Sequence, residues 1–203
     1  MRKLLKRICL CFLLAAFFWC GTLLSDRQRL NRELVRLHVV AASDSREDQY
    51  NKLRVRDAVT ESLTAQLQNI ADVEQAKAYL QEKLPYIQKI AVTTLQSLGC
   101  EDAVEVSLCR EAFDVRHYDD FSLPSGVYEA LRIVIGEGAG ENWWCVVFPS
   151  LCLHSAAQEF EDVAAGSGFP EALSSAMTGE ESYELRFALL DAMGKLQNML
   201  CAE

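Results

Sequence analysis

The N-terminal segment constrains this chain more than any other feature of its sequence. Four positive charges lie within Met1–Arg7, and residues 8–24 then contain no charged side chain. Positive charges stay on the cytoplasmic side of a membrane, while the apolar stretch that follows enters the bilayer. Residues 1–25 are therefore predicted to be a signal peptide or a signal anchor. The 17 apolar residues are close to the minimum length for crossing the hydrocarbon core.

The sequence leaves open whether this leader is cleaved. No site of small residues follows the apolar run, because Trp19-Cys20-Gly21 is bulky where a signal peptidase requires small side chains. An uncleaved anchor, conventional cleavage and lipidation of Cys20 are the three alternatives. A buried N-terminal helix of a cytosolic protein would carry polar residues on one face, and this segment carries none.

The remainder of the chain is acidic. Residues 1–25 carry four positive and no negative charges, so setting them aside changes the net charge from -9 to -13. Such a surface has no basic patch that could neutralise phosphates, which argues against nucleic acid or an anionic membrane surface as the main ligand. Contact with a membrane is expected only through residues 8–24.

After a polar spacer over residues 26–33, residues 34–203 are predicted to form one domain. Leu34–Ala41 alternates like a strand, and apolar residues at spacings of three and four then indicate two helices. Ser45 and Asp72 are suited to cap these helices. Pro85 should kink or divide the second helix, and Gly99 should end it.

The period changes to two after Gly99, which predicts strands at residues 104–109, 127–135 and 143–148. The last two strands are predicted to form an antiparallel pair closed by the turn Gly136–Gly140. Residues 155–182 are predicted to be a mobile acidic connection, and residues 185–200 a closing helix. The fold class is α+β, a single domain with a small, mainly antiparallel sheet packed by helices and preceded by an apolar export or anchor helix.

The chain has eight cysteines, of which three belong to the leader. Five remain, so at least one is unpaired or pairs between chains. A disulfide between Cys145 and Cys152 is one alternative, because Pro149 can turn the chain between them. Two reduced, buried cysteines are the other.

Residue types that carry chemistry are present, but simpler interpretations account for them. The Gly136–Gly140 loop lacks the lysine and the following helix of a phosphate-binding loop, so a hairpin is favoured. Cys145 could use His38 or His154 as a base, but a thiol inside an apolar strand is expected to be inert. The three histidines lack metal-ligand spacing.

Several carboxylates could form the acid pair of an enzyme that cleaves glycans. Acidic residues are so abundant that their presence near a loop carries little weight. An exported peptidoglycan-modifying enzyme that uses Glu137 or Glu141 is kept as the alternative function. The candidate carboxylates are Asp119, Asp120, Glu129, Glu137 and Glu141.

Two adjacent tryptophans, Trp143 and Trp144, follow Asn142. Successive side chains in a strand point to opposite faces, so only one of the two can enter a single core. The other either packs under a C-terminal helix or lies at the surface as an interface anchor.

Several stretches of the chain together resemble the stage II sporulation protein R family of endospore-forming bacteria. They are LHVVAASDS over residues 37–45, PSGVYEALR over 124–132, NWWC over 142–145 and ELRF over 184–187. The tryptophan–cysteine segment is the most specific. Ala42 and Ser150 depart from the family pattern, in which Asn and Pro are expected.

The resemblance implies a signalling protein without catalytic residues, cofactor, metal or small-molecule substrate. Members are made in the forespore and exported into the intermembrane space. There they activate a membrane-embedded aspartic protease of the mother cell, which processes the precursor of sigma factor E. The residues expected to bind this partner are Tyr128, Glu129, Asn142, Trp143 and Trp144.

Overall fold

A computed structural model of the chain describes residues 31–117 and 122–149, together with four helical positions near the N-terminus. Those positions are Arg7, Leu10, Cys11 and Leu14. The rest of the predicted leader, the acidic connection and the predicted C-terminal helix lie outside the described residues. In the described part of the chain, none of the helices combines the length and the apolar character needed to span a bilayer.

The described residues contain two long helices, four strands of one sheet and a small two-stranded ribbon. In chain order these elements are β1 (Val35–Val40), α1 (Arg46–Leu67), α2 (Val73–Ser97), β2 (Val104–Phe113), β3 (Arg116–His117), β4 (Ser122–Leu123), β5 (Gly126–Ile135) and β6 (Asn142–Phe148). Strands β3 and β4 pair only with each other, between β2 and β5 in the chain. The fold is therefore α+β, as predicted.

Both helices begin at the predicted caps. The Ser45 hydroxyl accepts a hydrogen bond from the Asp48 backbone N–H at 3.1 Å. The Asp72 carboxylate accepts one from Gln75 N–H at 2.9 Å. Each cap satisfies a donor that the first helical turn leaves free. Gly99 ends α2 with φ of 79°, a conformation that favours glycine.

Pro85 does not divide α2, which runs through it as one helix of 25 residues. An interior proline removes one backbone hydrogen bond and costs about 3 kcal/mol. The apolar stripe on both sides of Pro85 is fully buried, with Leu80, Ile87, Ala91 and Leu95 at 0% exposure. Burial of each larger side chain in this stripe contributes about 1.5–3 kcal/mol to stability. Together these contributions outweigh the cost of the lost backbone hydrogen bond.

The four-stranded sheet is mixed, with the strand order β2-β5-β1-β6. Strand β1 is parallel to β5 and antiparallel to β6, and β2 is antiparallel to β5. The prediction of a mainly antiparallel sheet was therefore wrong. Parallel neighbours need a crossover connection, and here α1, α2 and β2 separate β1 from β5 along the chain.

The prediction that β5 and β6 form a hairpin was also wrong, because β1 lies between them. Residues 136–141 cross over the end of β1 instead of closing a tight turn. The Gly140 N–H donates to the Ala41 carbonyl at 3.0 Å, and the Ala139 N–H donates to the Ala42 carbonyl at 3.2 Å. A step over one strand spans about 10 Å, which this connection can cover and a two-residue turn cannot.

The sheet has two different faces. The helices pack on one of them, which we call the helix face. Its core consists of Val35, Leu37, Val39, Val55, Val59, Leu63, Leu67, Ala76, Leu80, Ile87, Ala91, Leu95, Val104, Leu131, Ile133, Ile135, Cys145, Val147 and Phe148. The opposite side, which we call the polar face, carries Arg36, His38, Glu111, Tyr128, Arg132 and Trp144.

Candidate functional site

The two tryptophans lie on opposite faces of the sheet, as the strand period predicts. The Trp143 ring lies beside α1, where the Arg56 guanidinium is 4.2 Å from the ring centroid. The Trp144 ring lies on the polar face against His38 and Arg116. The two side chains therefore cannot contribute to one flat docking surface.

Trp143 is the accessible member of the pair, with 37% of its surface exposed. Arg56 is held in place because it also donates to the Asp57 carboxylate, from Nε at 2.8 Å and from Nη2 at 2.6 Å. An aromatic ring under a fixed guanidinium is a pre-organised contact that a partner can cover without ordering either side chain. Trp143 and Arg56 together form what we call the Trp143 corner.

Trp144 contacts two side chains of other strands. The imidazole of His38 lies nearly parallel to its ring, at 5.6 Å between centroids and 16° between planes. The guanidinium of Arg116 lies 3.6 Å from the ring centroid. Trp144 therefore connects β6 to β1 and β3.

Tyr128 is fully buried on the polar face. Its hydroxyl donates to the Pro124 carbonyl at 2.7 Å, and its ring meets Phe113 edge-on at 5.8 Å. The buried guanidinium of Arg36 lies against both aromatic rings, 4.5 Å from the Phe113 centroid and 5.2 Å from the Tyr128 centroid. Tyr128 thus has a structural position and is not accessible to a partner in this conformation.

Of the remaining predicted contact residues, Asn142 is exposed and Glu129 is half-buried. Glu129 lies opposite Val35 in the ladder and Trp143 lies opposite Val39, so the two are four residues apart along β1. Glu129 also lies 4.0 Å from Arg110 Nε, a partly exposed ion pair. The five residues predicted to bind a partner are therefore distributed over two faces and the core.

The polar face contains a hydrogen-bonded histidine that connects three strands. His38 is 6% exposed, its Nδ1 is 2.8 Å from Glu111 Oε2 and its Nε2 is 2.7 Å from Asn142 Oδ1. With this orientation of the Asn142 amide, both ring nitrogens donate. Rotation of the amide by 180° allows a neutral ring to accept instead.

Glu111 is the acidic member of this cluster, and it also lies 3.8 Å from Arg132 Nε. Burial disfavours its charged form, but the His38 hydrogen bond and the nearby positive charges outweigh burial, so the pKa of Glu111 is below its usual value. This cluster was not predicted from the sequence. The sequence signal was the alternation of Arg36 and His38 with the apolar residues of β1, a strand that the structure buries along its whole length.

A histidine paired with a carboxylate can act as a general base, but only for a nucleophile within hydrogen-bond reach. Here Glu111 and Asn142 occupy both ring nitrogens of His38. The predicted alternative base, His154, lies outside the described residues. Cys145 is disulfide-bonded, and its partner lies outside the described residues because Cys11, Cys100 and Cys109 are free. Its pairing with Cys152 remains a prediction.

The two free thiols of residues 31–117 are not activated. Burial raises the pKa of the Cys109 thiol, and the charge of Glu111 raises it further. Burial also raises the pKa of Cys100, next to Asp102. A raised pKa reduces the thiolate fraction that nucleophilic chemistry needs. In residues 31–117 and 122–149, no group of three His, Cys, Asp or Glu residues is arranged to hold a metal ion.

The glycine-rich loop uses its backbone donors within the fold. Besides the bonds of Ala139 and Gly140 to the end of β1, the Glu141 N–H donates to Asp44 Oδ1 at 2.6 Å. Lys52 Nζ donates to the Glu141 carbonyl at 2.9 Å. Burial lowers the pKa of Lys52, although the charges of Glu141 and Asp44 oppose this shift. A phosphate cradle needs backbone N–H groups that are free, and these are occupied.

The candidate carboxylates of a glycan-cleaving enzyme are likewise not brought into one cleft. Glu137 and Glu141 are exposed on the loop, and Glu129 is paired with Arg110. Asp119 and Asp120 lie outside the described residues. Among the described residues, the geometry therefore contains the partly exposed Trp143 corner and a buried polar cluster, and these carboxylates do not form an acid–base pair.

Comparison with known proteins agrees with the resemblance seen in the sequence. A family model described as stage II sporulation protein R matches residues 31–158. The chain is 38% identical over 120 residues to the stage II sporulation protein R of Bacillus subtilis (strain 168). That alignment covers 59% of this chain and 54% of the relative, so the match spans about half of the relative's length. No solved structure gives a significant match. The family model covers more than half of this chain, which therefore belongs to the stage II sporulation protein R family.

Proposed function

We propose that this chain is a signalling protein of sporulation that acts outside the cytoplasm. It is made in the forespore, exported into the intermembrane space and secreted or held there by residues 1–25. It activates a membrane-embedded aspartic protease of the mother cell, which then removes the pro-sequence of sigma factor E. Membership of the stage II sporulation protein R family carries this proposal.

The domain acts as a ligand and has no catalytic residues of its own. The observations that support this are the occupied nitrogens of His38 and the raised pKa values of the free thiols Cys100 and Cys109. A ligand can activate a protease only by binding its active state better than its inactive state. One surface of the domain must therefore bind the active state of the protease more tightly than its inactive state.

The Trp143 corner is the surface we assign to this role. Interface hot spots are enriched in Trp and Arg, and here both are partly accessible and already in contact. Truncation of a hot-spot tryptophan costs at least about 2 kcal/mol, which is a loss of affinity of about 30-fold. Asn142 precedes Trp143 and is exposed, but its side chain meets His38 on the polar face and does not belong to this surface.

The experiment is co-expression of the full chain with the protease and the sigma factor precursor. The wild-type chain should produce the mature sigma factor. The variant Trp143→Ala should reduce processing strongly while the exported protein remains at its normal level, because the side chain is partly exposed and its loss costs little stability.

Tyr86→Ala is the matched control. Tyr86 is also a large exposed aromatic residue, at 50% exposure, but it lies on α2. Processing should be normal in this variant. Normal processing with Trp143→Ala would reject the Trp143 corner, and a wild-type chain that never triggers processing would reject the proposed function itself.

A further inference from the structure

The outer edge of β2 is long, and none of the described strands pairs with it. This strand of ten residues lies at one end of the sheet and pairs with β5 without any shift of register. Natural edge strands are usually short, or are protected by proline or a bulge, because unpaired backbone groups bind other strands. β2 contains no proline, and its apolar residues Val106 and Leu108 are only partly buried.

The ladder determines which backbone groups of β2 face outward. Gly136 N–H donates to the Ala103 carbonyl at 2.8 Å, so residues 103 and 136 are a hydrogen-bonded pair. Such pairs alternate in an antiparallel ladder, so the odd-numbered residues of β2 bond to β5 and the even-numbered ones face outward. The position of Gln88 agrees, since its side-chain amide donates to the outward carbonyl of Val104 at 2.7 Å.

Four consecutive even-numbered residues therefore present N–H and C=O groups that bond to no other residue within the part of the chain that the structure describes. They are Val106, Leu108, Arg110 and Ala112. The midpoint of this set is Cys109, a free and half-buried cysteine. An antiparallel strand with the same four open residues can satisfy all of them only if it is centred on that position.

We propose that a second copy of this chain docks on β2, antiparallel and centred on Cys109. Leu108 then pairs with Arg110 of the second copy, and Val106 pairs with Ala112 of the second copy, each pair exchanging two backbone hydrogen bonds. The two sheets become one continuous sheet with a twofold axis at Cys109. This inference does not depend on the proposed protease partner.

The side chains of β2 favour this register over its neighbours. With the centre at Cys109, Ser107 lies opposite Glu111 of the second copy and no like charges face each other. With the centre at Leu108, Glu105 lies directly opposite Glu111, and like charges across a ladder are destabilising. With the centre at Ser107, the ladder needs the Val104 carbonyl, which Gln88 already occupies.

The proposed register makes a direct geometric prediction. Cys109 and its symmetry mate form a non-hydrogen-bonded pair, in which the Cα atoms are about 4.5 Å apart. Disulfides form when this separation is about 4.4–6.8 Å. A mild added oxidant, which takes two electrons and two protons from the two thiols, should therefore cross-link the chains through Cys109.

The test uses the full chain in its membrane, treated with such an oxidant and separated without reductant. Wild type should give a covalent dimer, and Cys109→Ser should lose it. Cys100→Ser is the matched control, because Cys100 is also free and half-buried but lies outside β2. It should retain the dimer. Absence of the dimer in wild type, or its persistence in Cys109→Ser, would overturn the proposal.

A second variant tests the register. In the Cys109→Ser background, Ser107→Cys should not cross-link to itself, because residue 107 lies opposite Glu111. Self-linking at residue 107 would overturn the register centred on Cys109.

A measurement without cysteine chemistry uses two differently tagged copies expressed together. They should co-purify as wild type and separate when both carry Ser107→Glu, which places two glutamates opposite each other at both ends of the ladder. Circular dichroism checks that this variant is folded. Co-purification that is unchanged by Ser107→Glu would show that the copies meet elsewhere and would refute docking on β2.

Discussion

Gly140 lies in the connection that crosses the end of β1, and the fold leaves no space for a side chain at this position. A Cβ atom added there would lie 2.2 Å from the Ser43 carbonyl oxygen and 2.5 Å from the carbonyl carbon. Real Cβ atoms essentially never come closer than 3.0 Å, so the backbone must move by at least the difference, 0.8 Å. These atoms are backbone, and no side-chain rotation can relieve the clash.

The expected cost of Gly140→Ala follows from what that movement disturbs. Overpacking costs about 1–3 kcal/mol, and each weakened hydrogen bond adds about 1 kcal/mol. The bonds at risk are Gly140 N–H to the Ala41 carbonyl and Glu141 N–H to Asp44. We therefore expect a loss of about 3–5 kcal/mol, which lowers the melting temperature by roughly 6–20 °C.

The assay is urea unfolding of the full chain in mild detergent, followed by circular dichroism. Gly99→Ala is the matched control, because φ there is 79° but nothing lies within 4 Å of an added Cβ. It should cost only about 1–2 kcal/mol, the penalty for a left-handed backbone. Equal midpoints for Gly140→Ala and wild type, or a larger effect for Gly99→Ala, would refute the packing of the loop against Ser43.

Three further predictions concern single interactions. The lowered pKa of Glu111 means that its interaction with His38 stabilises the fold above the usual value of 4.5 and is lost as the pH falls below it. Glu111→Gln should therefore flatten this part of the profile of unfolding free energy against pH, and an unchanged profile would contradict the pairing. Tyr128→Phe should lower the free energy of unfolding in urea by about 1–3 kcal/mol, because the buried Pro124 carbonyl loses its hydrogen-bond donor. A change near zero would show that another donor satisfies this carbonyl. Ser45→Ala should cost about 1 kcal/mol by removing the cap of α1, and equal stability would mean that Asp48 N–H finds another acceptor.

Local features of this fold could be predicted because local interactions determine them. The helix starts at Ser45 and Asp72 depend on one side chain and the backbone three residues later. The opposite orientations of Trp143 and Trp144 follow from the period of a strand. In each case the interacting groups are neighbours in the sequence, so the pattern contains the answer.

The strand order could not be predicted in the same way. β5 and β6 could pair with each other or with β1. The arrangement with β1 between them buries β1 on both faces, and the free energy of that burial depends on segments that are distant in the sequence. β1 is buried along its entire length, including Arg36 and His38. An arginine and a histidine alternating with apolar residues predict a strand, but the groups that bury these two polar side chains are distant in the sequence.

The starts of α1 and α2, the strand periods and the family could be read from the residues alone. Which of the two tryptophans is accessible depends on the folded arrangement of the strands. His38 and Glu111 are 73 residues apart in the chain. They meet because β1 and β2 belong to the same sheet and both side chains lie on its polar face. His38 and Arg116 both contact the Trp144 ring, whereas Trp143 keeps 37% of its surface exposed. The physical reason is that burial depends on contacts distant in sequence, which no local pattern specifies.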